Sequence, residues 1–575
     1  SIYCTFYICN NLTAIFERQG DWLFQDKIVS IIGTLLVLEA CRRVIGVIMT
    51  GICAISIAYA MFGPYMPELI IHKGYSIERI ATTLWLTTEG IFGLPIGVAA
   101  TFVFVFVLFG AILETTGGGA FFIDLAYALT GRFSGGPAKA AVVASGFMGS
   151  ISGSAVGNVV ATGSFTIPMM KKVGYRAHVA GAIEAAASTG GQLMPPIMGA
   201  GAFLMAEFTN TSYLTIIKVA LVPAIMYYLT VLIFVHYEAK KFGLKGQPKE
   251  NLPRFMTVIK NGLHFIIPVL ILIYVLVSNY SPMMAGFIAV VSTLSISILA
   301  NFIRWVVNGK KEESLIRFGM KEFKLIIKAL ENGAKNAVMV SVACAAAGII
   351  VGMVSLTGMG LKFSSLVIDL SYGIKVLAIL LIGAASLVLG MGLPVTASYI
   401  VLATLAGPAL LDMGVPIMVA HMIVFWYSQD ANVTPPVSLA SFAGAGIAKA
   451  NPMKTALVSW KLAKGLYIIP IIMAYRPLLG MGADYELFHW EVLLTMATTT
   501  LGLVAFASAI ERYFFRKATL VETLLFWLAA LGLFWPTYWA DMAGFITLIL
   551  AVSLQKFYSL SPKTNSGTYN DQPLK

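Results

Sequence analysis

Four short runs of small and polar residues, each set in long apolar sequence, carry most of the chemistry this chain can offer. Residues 149–158 read Gly-Ser-Ile-Ser-Gly-Ser-Ala-Val-Gly-Asn and residues 390–398 read Gly-Met-Gly-Leu-Pro-Val-Thr-Ala-Ser. The other two end in a proline pair: Ser-Thr-Gly-Gly-Gln-Leu-Met-Pro-Pro at 188–196 and Ser-Gln-Asp-Ala-Asn-Val-Thr-Pro-Pro at 428–436. Proline removes an amide donor and clashes with the preceding turn, so a helix must open there. In hydrocarbon that opening is costly unless the freed carbonyls face protein, water or an ion. Such carbonyls, with nearby hydroxyls, can replace the water shell of Na⁺, and the N–H groups at a half-helix N-terminus suit a carboxylate on a solute. The cation candidates are Gly149, Ser154, Ser188, Thr189, Gly190, Gly390, Thr396, Asn432 and Thr434. The solute candidates are Ser152, Gly153, Ser154, Asn158, Gly392, Pro394, Thr396 and Ser398. Close helix packing is the competing explanation for these small residues. Glu184, one turn before the first break, and Asp430, inside the second, are costly in a membrane and are candidates to pair, line water or exchange a proton. A structural hydrogen bond is the plainer role for either.

The elements that hold these runs must be membrane helices. Of 575 residues, 58% are hydrophobic and 11% charged, with a mean hydropathy of +0.84, whereas soluble domains carry about 25% charged residues. Apolar segments of roughly 20 residues, enough to cross ~30 Å of hydrocarbon, recur along the chain, roughly fifteen in all with several short or interrupted. The net charge of +12 collects in loops, where it reads as a topology signal and lipid contact, not as a nucleic-acid surface. Residues 237–260 hold six bases against two acids, and residues 304–328 seven against three. Both stretches fall on one side of the two apolar segments between them, and by the positive-inside rule that side is the cytoplasm. Five scattered cysteines suggest neither a disulfide framework nor a metal site. No phosphate-binding Gly-rich loop or nucleophilic triad appears, so the pattern is not that of an ATPase or an enzyme. Residues 76–85 read as a helix lying in the interface or as an ordinary loop helix. The polar residues 559–575 read as a disordered tail.

A displacement of 240 residues brings helix-breaking positions into register: Pro168 with Pro408, Gly174 with Gly414, Ser188 with Ser428, and Pro195-Pro196 with Pro435-Pro436. The connector at 171–176 has three bases, while its mate at 411–416 has one acid and no base. The copies therefore face opposite ways, the construction of inverted-repeat transporters. Residues 139–171 are apolar with basic ends and a Gly-rich centre. Each arm, about 14 residues or roughly 21 Å, is too short to cross, which predicts a re-entrant hairpin with its tip near mid-membrane. The expected fold is an all-α polytopic membrane protein, an inverted repeat with two re-entrant helical hairpins and two broken helices. The expected divisions are 64–238 for the first copy, 239–330 for cytoplasmic loops and scaffold, 331–480 for the second copy and 481–558 for further membrane helices. Symmetry predicts two cation sites flanking one solute site, with Na⁺ or H⁺ as coupling ion.

The runs at 149–158, 187–196 and 390–398 resemble the large membrane subunit of tripartite ATP-independent periplasmic (TRAP) transporters, in the fused form that works with TAXI-type binding proteins; the resemblance spans about residues 42–475. It implies an elevator-type motion of hairpins and broken helices against a fixed scaffold in the inner membrane. It also implies a cation gradient as driving force, a small organic acid as solute and a periplasmic TAXI-type binding protein as partner. Residues 1–63 would then be fused small-subunit helices, truncated at their start. Glu184 and Asp430 depart from the neutral breaks of other branches, which bears on Na⁺-only coupling. A stand-alone Na⁺- or H⁺-coupled anion symporter is the alternative; a channel would need a continuous polar path in place of short Gly-lined tips.

Overall fold

The computed structural model describes residues 2–18, 20–307, 314–478 and 489–560. Among them are no strands beyond one isolated bridge, Tyr513 with Lys517, and nine helical segments are long and apolar enough to cross a membrane. Three helices lead the chain: α1 (Ile2–Glu17), α2 (Phe24–Val44) and α3 (Val47–Met61). The short α4 (Ile77–Leu86) follows, capped by Ser76, whose hydroxyl accepts from the Arg79 amide. It does not lie free in the interface: Ile80, Leu84 and Trp85 are buried, and Trp85 fills the space over Gly33 of α2. Its moment turns inward onto protein, an outcome the amphipathic pattern alone does not choose.

The first copy begins with a span built from α5 (Leu94–Val98), a π turn and α6 (Phe104–Thr115), followed by α7 (Gly118–Thr130). A helical hairpin, α8 (Gly136–Ser152) and α9 (Ala155–Lys172), comes next, then the two halves of a broken helix, α10 (Ala177–Gly191) and α11 (Gly201–Phe208), and the long α12 (Tyr213–Lys241). Two spans, α13 (Phe255–Val277) and α14 (Pro282–Val307), lead to α15 (Leu315–Thr357), whose 43 residues extend about 65 Å. The second copy holds α16 (Met359–Leu370), the hairpin α17 (Lys375–Leu389) and α18 (Val395–Asp412), the broken pair α19 (Ile417–Tyr427) and α20 (Leu439–Ala448), and α21 (Pro452–Leu462) with α22 (Gly465–Tyr475). A final unit comprises α23 (Trp490–Glu511), α24 (Leu520–Phe534) and α25 (Tyr538–Leu560).

The offset of 240 recurs in the backbone. Helix α9 runs 155–172 and α18 runs 395–412; α10 begins at 177 and α19 at 417. Met198 and Ser438 both take positive φ in the breaks, Gly174 and Gly414 both do so in the connectors, and both proline pairs are cis. The copies are inverted in space. Lys171, in the first connector, donates to the carbonyl of Ala448 at the end of α20 over 2.9 Å, so these two ends share a face. At the opposite face Ser364 of α16 donates to Asp412, beside the second connector.

Several expected divisions move. The limit at 238 falls in the last turn of α12, that at 330 inside α15, and that at 558 inside α25, which runs to Leu560. Most of the basic stretch 304–328 is helix, not loop, because Lys and Arg are good helix formers and composition alone does not separate a loop from a helix that projects beyond the bilayer. Residues 561–575 of the expected tail lie outside the described residues, as does the limit at 480.

Helices α2–α6 and α13–α15 pack together as a frame. The hairpins, broken helices, α12, α21 and α22 pack together as a second body, flanked by α7 and α16, with α18 also packed directly on α15 of the frame.

Candidate functional site

At the first tip Gly153 takes left-handed φ, which only a residue without Cβ adopts at no steric cost. Ser154 then caps α9, accepting from the Gly157 amide over 3.1 Å. The first break closes on this tip: the amides of Ile197 and Met198 donate to the Ser150 carbonyl over 3.1 and 3.3 Å, and Gln192 Nε2 donates to the Gly153 carbonyl over 2.9 Å. In the second copy, residues 390–393 turn between α17 and α18, and residues 430–432 form a short 3₁₀ turn inside the break. Ser386 at the end of α17 donates to Asp430 Oδ2 over 2.5 Å. Ser398 Oγ and Ala431 both crowd the open side of Gly390, so tip and break lie side by side.

The two copies meet at equivalent residues. Asn432 Nδ2 donates to Gln192 Oε1 over 3.4 Å, a pair separated by 240 positions and hence lying across the pseudo-two-fold axis. Six buried side-chain oxygens of the tips and breaks have no hydrogen-bond partner among the described residues: Ser152 Oγ, Asn158 Oδ1, Ser398 Oγ, Gln429 Oε1, Asp430 Oδ1 and Ser438 Oγ. Buried polar atoms are otherwise nearly always paired, so unpartnered acceptors at both hairpin tips and in the second break mark places for a cation or a hydrogen-bonding solute. The donors are hydroxyl, amide and carboxylate oxygens, a hard set that fits Na⁺ and not a soft metal. No group of three His, Cys, Asp or Glu that could hold a metal occurs among the described residues.

Glu184 sits in a separate, fully buried cage. Its Oε1 accepts from Ser145 of α8 over 2.6 Å, from Thr162 of α9 and from Ser188 over 3.3 Å; Oε2 accepts from Thr166 over 2.5 Å. Its four partners are all hydroxyls, with no base among them.

The structure thus brings Gly390, Ser398 and Asp430 side by side in the second copy and links Asn432 to the first tip through Gln192, whereas Asn158 bonds the Ser145 carbonyl beside Gly149; other candidates lie apart. Ser188, Thr189 and Gly190 lie in the last turn of α10, not in the break, which opens at Gln192. Thr189 is bonded into its own helix at the Ala185 carbonyl, and a methyl at Gly190 would strike the Tyr227 ring. Gly149 packs directly on Gly191. Gly392 abuts Ile48 of α3, and Thr434 shares a hydrogen bond with the Tyr467 hydroxyl. Pro394 is the N-cap of α18, and Thr396 is buried in that helix's first turn. For Gly149, Gly190 and Thr189 close packing or an intrahelical hydrogen bond accounts for the residue type. Sequence reasoning missed Gln192, although the offset from Asn432 points straight to it. It also missed Thr162 and Thr166, whose spacing of four from Asn158 places all three on one helix face. Tyrosines complete the support: Tyr227 and Tyr228 of α12 donate to the carbonyls of Ala186 and Ala187, and Tyr213 to those of Pro196 and Ile197.

Between frame and block on the face of the second connector lies a crevice of about 530 Å³. The frame lines it with Glu89, Val354 and Ser355, and the block with Phe208, Thr404 and His421, whose Nδ1 is 2.9 Å from the Tyr399 hydroxyl.

Inverted hairpins closing on broken helices are a transporter's architecture, and comparison with known proteins agrees. The model of the DctM component of tripartite ATP-independent periplasmic transporters matches residues 32–479. The chain belongs to this family. The isethionate TRAP transporter permease protein DctMQ of Oleidesulfovibrio alaskensis is 25% identical over 499 residues, 82% of this chain and 74% of that protein. The C4-dicarboxylate TRAP transporter large permease protein DctM of Vibrio cholerae is 25% identical over 445 residues, 76% of this chain and 94% of that protein. The 2,3-diketo-L-gulonate TRAP transporter large permease protein YiaN of Escherichia coli is 24% identical over 346 residues, 60% of this chain and 76% of that protein. This TRAP permease is accordingly a multi-pass inner-membrane transport protein and not an enzyme. The family match begins at residue 32, within α2, and α3 packs against α15 of the frame.

Proposed function

We propose that this TRAP permease carries a small organic acid inward, receives it from a periplasmic TAXI-type binding protein, and is driven by a cation gradient through an elevator motion of the hairpin block. The observation that carries the reading is the junction of the breaks at Gln192 and Asn432, with unpartnered buried oxygens on both sides. A single broken helix would suit a hinge; two that meet at symmetry-equivalent residues suit one solute held between halves. The relatives named above are transporters of isethionate, C4-dicarboxylates and 2,3-diketo-L-gulonate, each an acid. Helices α9 and α18 present their N-terminal amides at the two tips, which favours an anionic group there.

When bound, Na⁺ would supply charge balance for that anion. Ser398, Gln429 and Asp430 are the residues of the second copy with oxygens to offer it, and Ser152 and Asn158 those of the first. Glu184, caged by hydroxyls, is the place for an exchangeable proton, with Asp430 as a second. In the elevator reading the outward crevice is the space into which the block rises. Reconstituting the chain in liposomes, with a TAXI-type binding protein and radiolabelled acids, tests this directly. Uptake that needs the binding protein and collapses with the Na⁺ or H⁺ gradient is expected. Uptake without it would instead identify a stand-alone symporter, and gradient-independent, non-saturating flux a channel.

A further inference from the structure

The last three helices, α23–α25, lie beyond the family match, which ends at residue 479, and the position of their attachment is informative. Helix α23 packs on α12, and at the cytoplasmic end Glu511, only 3% exposed, forms ion pairs with Lys461 of α21 at 2.5 Å and with Lys241 of α12 at 3.5 Å. One turn earlier Ser508 donates to the Tyr237 hydroxyl, and Tyr513 and Phe514 stack about the same ring. At the opposite end Arg476, which follows α22 and is 5% exposed, donates to Asp541 of α25 over 2.6 Å, to Thr498 of α23 over 2.9 Å and to the carbonyl of Trp535. The unit is thus fastened at both membrane faces, and each of these fastenings is to α12, α21 or the residue after α22.

Those same helices hold the breaks. Helix α12 donates through Tyr213, Tyr227 and Tyr228 to carbonyls of the first broken helix, and its Glu238 pairs with Arg176 of the first connector. Helix α22 reaches the second break through Tyr467 and Thr434. The frame is stitched separately, by Asn301 with Glu322, Arg304 with the Asn261 carbonyl, and Asn332 with Thr115. Breaking an ion pair whose carboxylate is buried leaves an uncompensated charge in low dielectric, which is costly. Sliding the unit along α12 would break Lys461–Glu511 and Arg476–Asp541 together, whereas moving α12, α21, α22 and the unit as one body breaks neither.

We infer that α23–α25 are part of the moving body: they travel with the hairpin block and not with the frame. This rests on the elevator reading above. The consequence is mechanical. The lipid-facing surface of α24 and α25, with Trp535 and Trp539 exposed at its outer end, is displaced through the bilayer in each cycle, so the lipid environment of this appendage loads the transport step.

Three exposed cytoplasmic lysines report on the three parts: Lys172 on the first hairpin, Lys517 in the turn between α23 and α24, and Lys260 on α13 of the frame. In a background with the five cysteines replaced, spin labels at Lys172→Cys, Lys517→Cys and Lys260→Cys, taken in pairs, give electron–electron distances in nanodiscs. Spectra are recorded in Na⁺ and in K⁺, at acidic and alkaline pH. The expected result is that the 172–260 and 517–260 distances shift together between conditions while the 172–517 distance stays fixed. A fixed 517–260 distance beside a shifting 172–260 distance assigns the unit to the frame and overturns the inference, with the elevator reading intact. A 172–260 distance that moves in no condition overturns the elevator reading and this inference with it. A short bis-maleimide, which adds one thiol at each end, joined to Tyr237→Cys and Ser508→Cys gives a second reading: uptake survives linkage if the unit rides on α12, and stops if the two must slide.

Discussion

Glu184 and Asp430 hold carboxyl groups in buried protein by different means. Glu184 is surrounded by four hydroxyls; Asp430 has one, from Ser386, and one oxygen without a partner. An ionised carboxylate with no base beside it is expensive to bury, so each is held most cheaply neutral or next to a cation. Glu184→Gln keeps the shape and removes the exchangeable proton; initial uptake rates in proteoliposomes measured against external pH are expected to flatten. A profile identical to wild type would return Glu184 to a structural role. Two serines of the tips separate binding from folding. Ser398→Ala removes an unpartnered oxygen and is expected to weaken the dependence of uptake on the cation with little change in melting temperature. Ser154→Ala removes the cap of α9 and is expected to cost about 1 kcal/mol of stability, read as a lower melting temperature in detergent. If Ser154→Ala instead shifts cation dependence at unchanged stability, the hydroxyl belongs to the ion site and not to the cap.

Among the elements, the broken helix α10–α11 depends on its neighbours for what it lacks. Tyr227 and Tyr228 supply donors to two carbonyls near its open end. Replacing both by Phe removes two buried hydrogen bonds, and a loss of about 1–3 kcal/mol is expected from thermal unfolding. An unchanged midpoint would mean that other donors satisfy those carbonyls. The hairpin arm α8 and α10 touch through glycines: a methyl on Gly191 would sit 2.4 Å from the Gly149 Cα, backbone against side chain, where nothing flexible can yield. Gly191→Ala is therefore expected to abolish folded yield or uptake, whereas Gly446→Ala, with nothing within 4 Å of the new methyl, is expected to be tolerated. Equal behaviour of the two variants in size-exclusion and uptake assays would show that this close approach does not hold in the membrane. The hydropathy pattern read these helices correctly in kind, since apolar length and proline position are local properties. The positions 238, 330 and 558 fall inside helices because a helix continues past the bilayer wherever its residues favour helix and its neighbours support it.

At the scale of the whole molecule, two bodies share one repeat. The tips of both hairpins lie against frame helices, Ile151 beside Gly110 of α6 and Gly392 beside Ile48 of α3, while the crevice of about 530 Å³ opens at the other face. In the elevator reading this is the cytoplasm-side position of the block. Filling the crevice should then arrest transport: a bulky adduct on Thr404→Cys, applied from outside, is expected to stop uptake, and unaltered rates after complete labelling would show that the block does not rise into this space. Neither side chain at the junction is charged, so Gln192→Ala and Asn432→Ala should act alike on uptake if the pseudo-axis passes through the solute site, each well beyond its effect on stability.

The amino-acid sequence by itself determined the membrane class, the orientation, the duplication at 240 residues and the places where helices open, because transfer of apolar side chains to hydrocarbon and the missing amide of proline act wherever those residues stand. It also singled out Asn158 and Ser398, which stand in the first turns of α9 and α18, and Asp430 and Asn432, which stand in the 3₁₀ turn of the second break. Only the tertiary structure decided which polar atoms meet. Ser145, Thr162, Thr166 and Glu184 come from three helices, and Gln192 faces Asn432 across the axis. Such encounters depend on how helix surfaces pack, a many-body outcome that spacing along one chain does not contain. Packing likewise turned Gly149 and Gly190 from candidate ligands into points of close approach, and set α23–α25 against the block and not the frame.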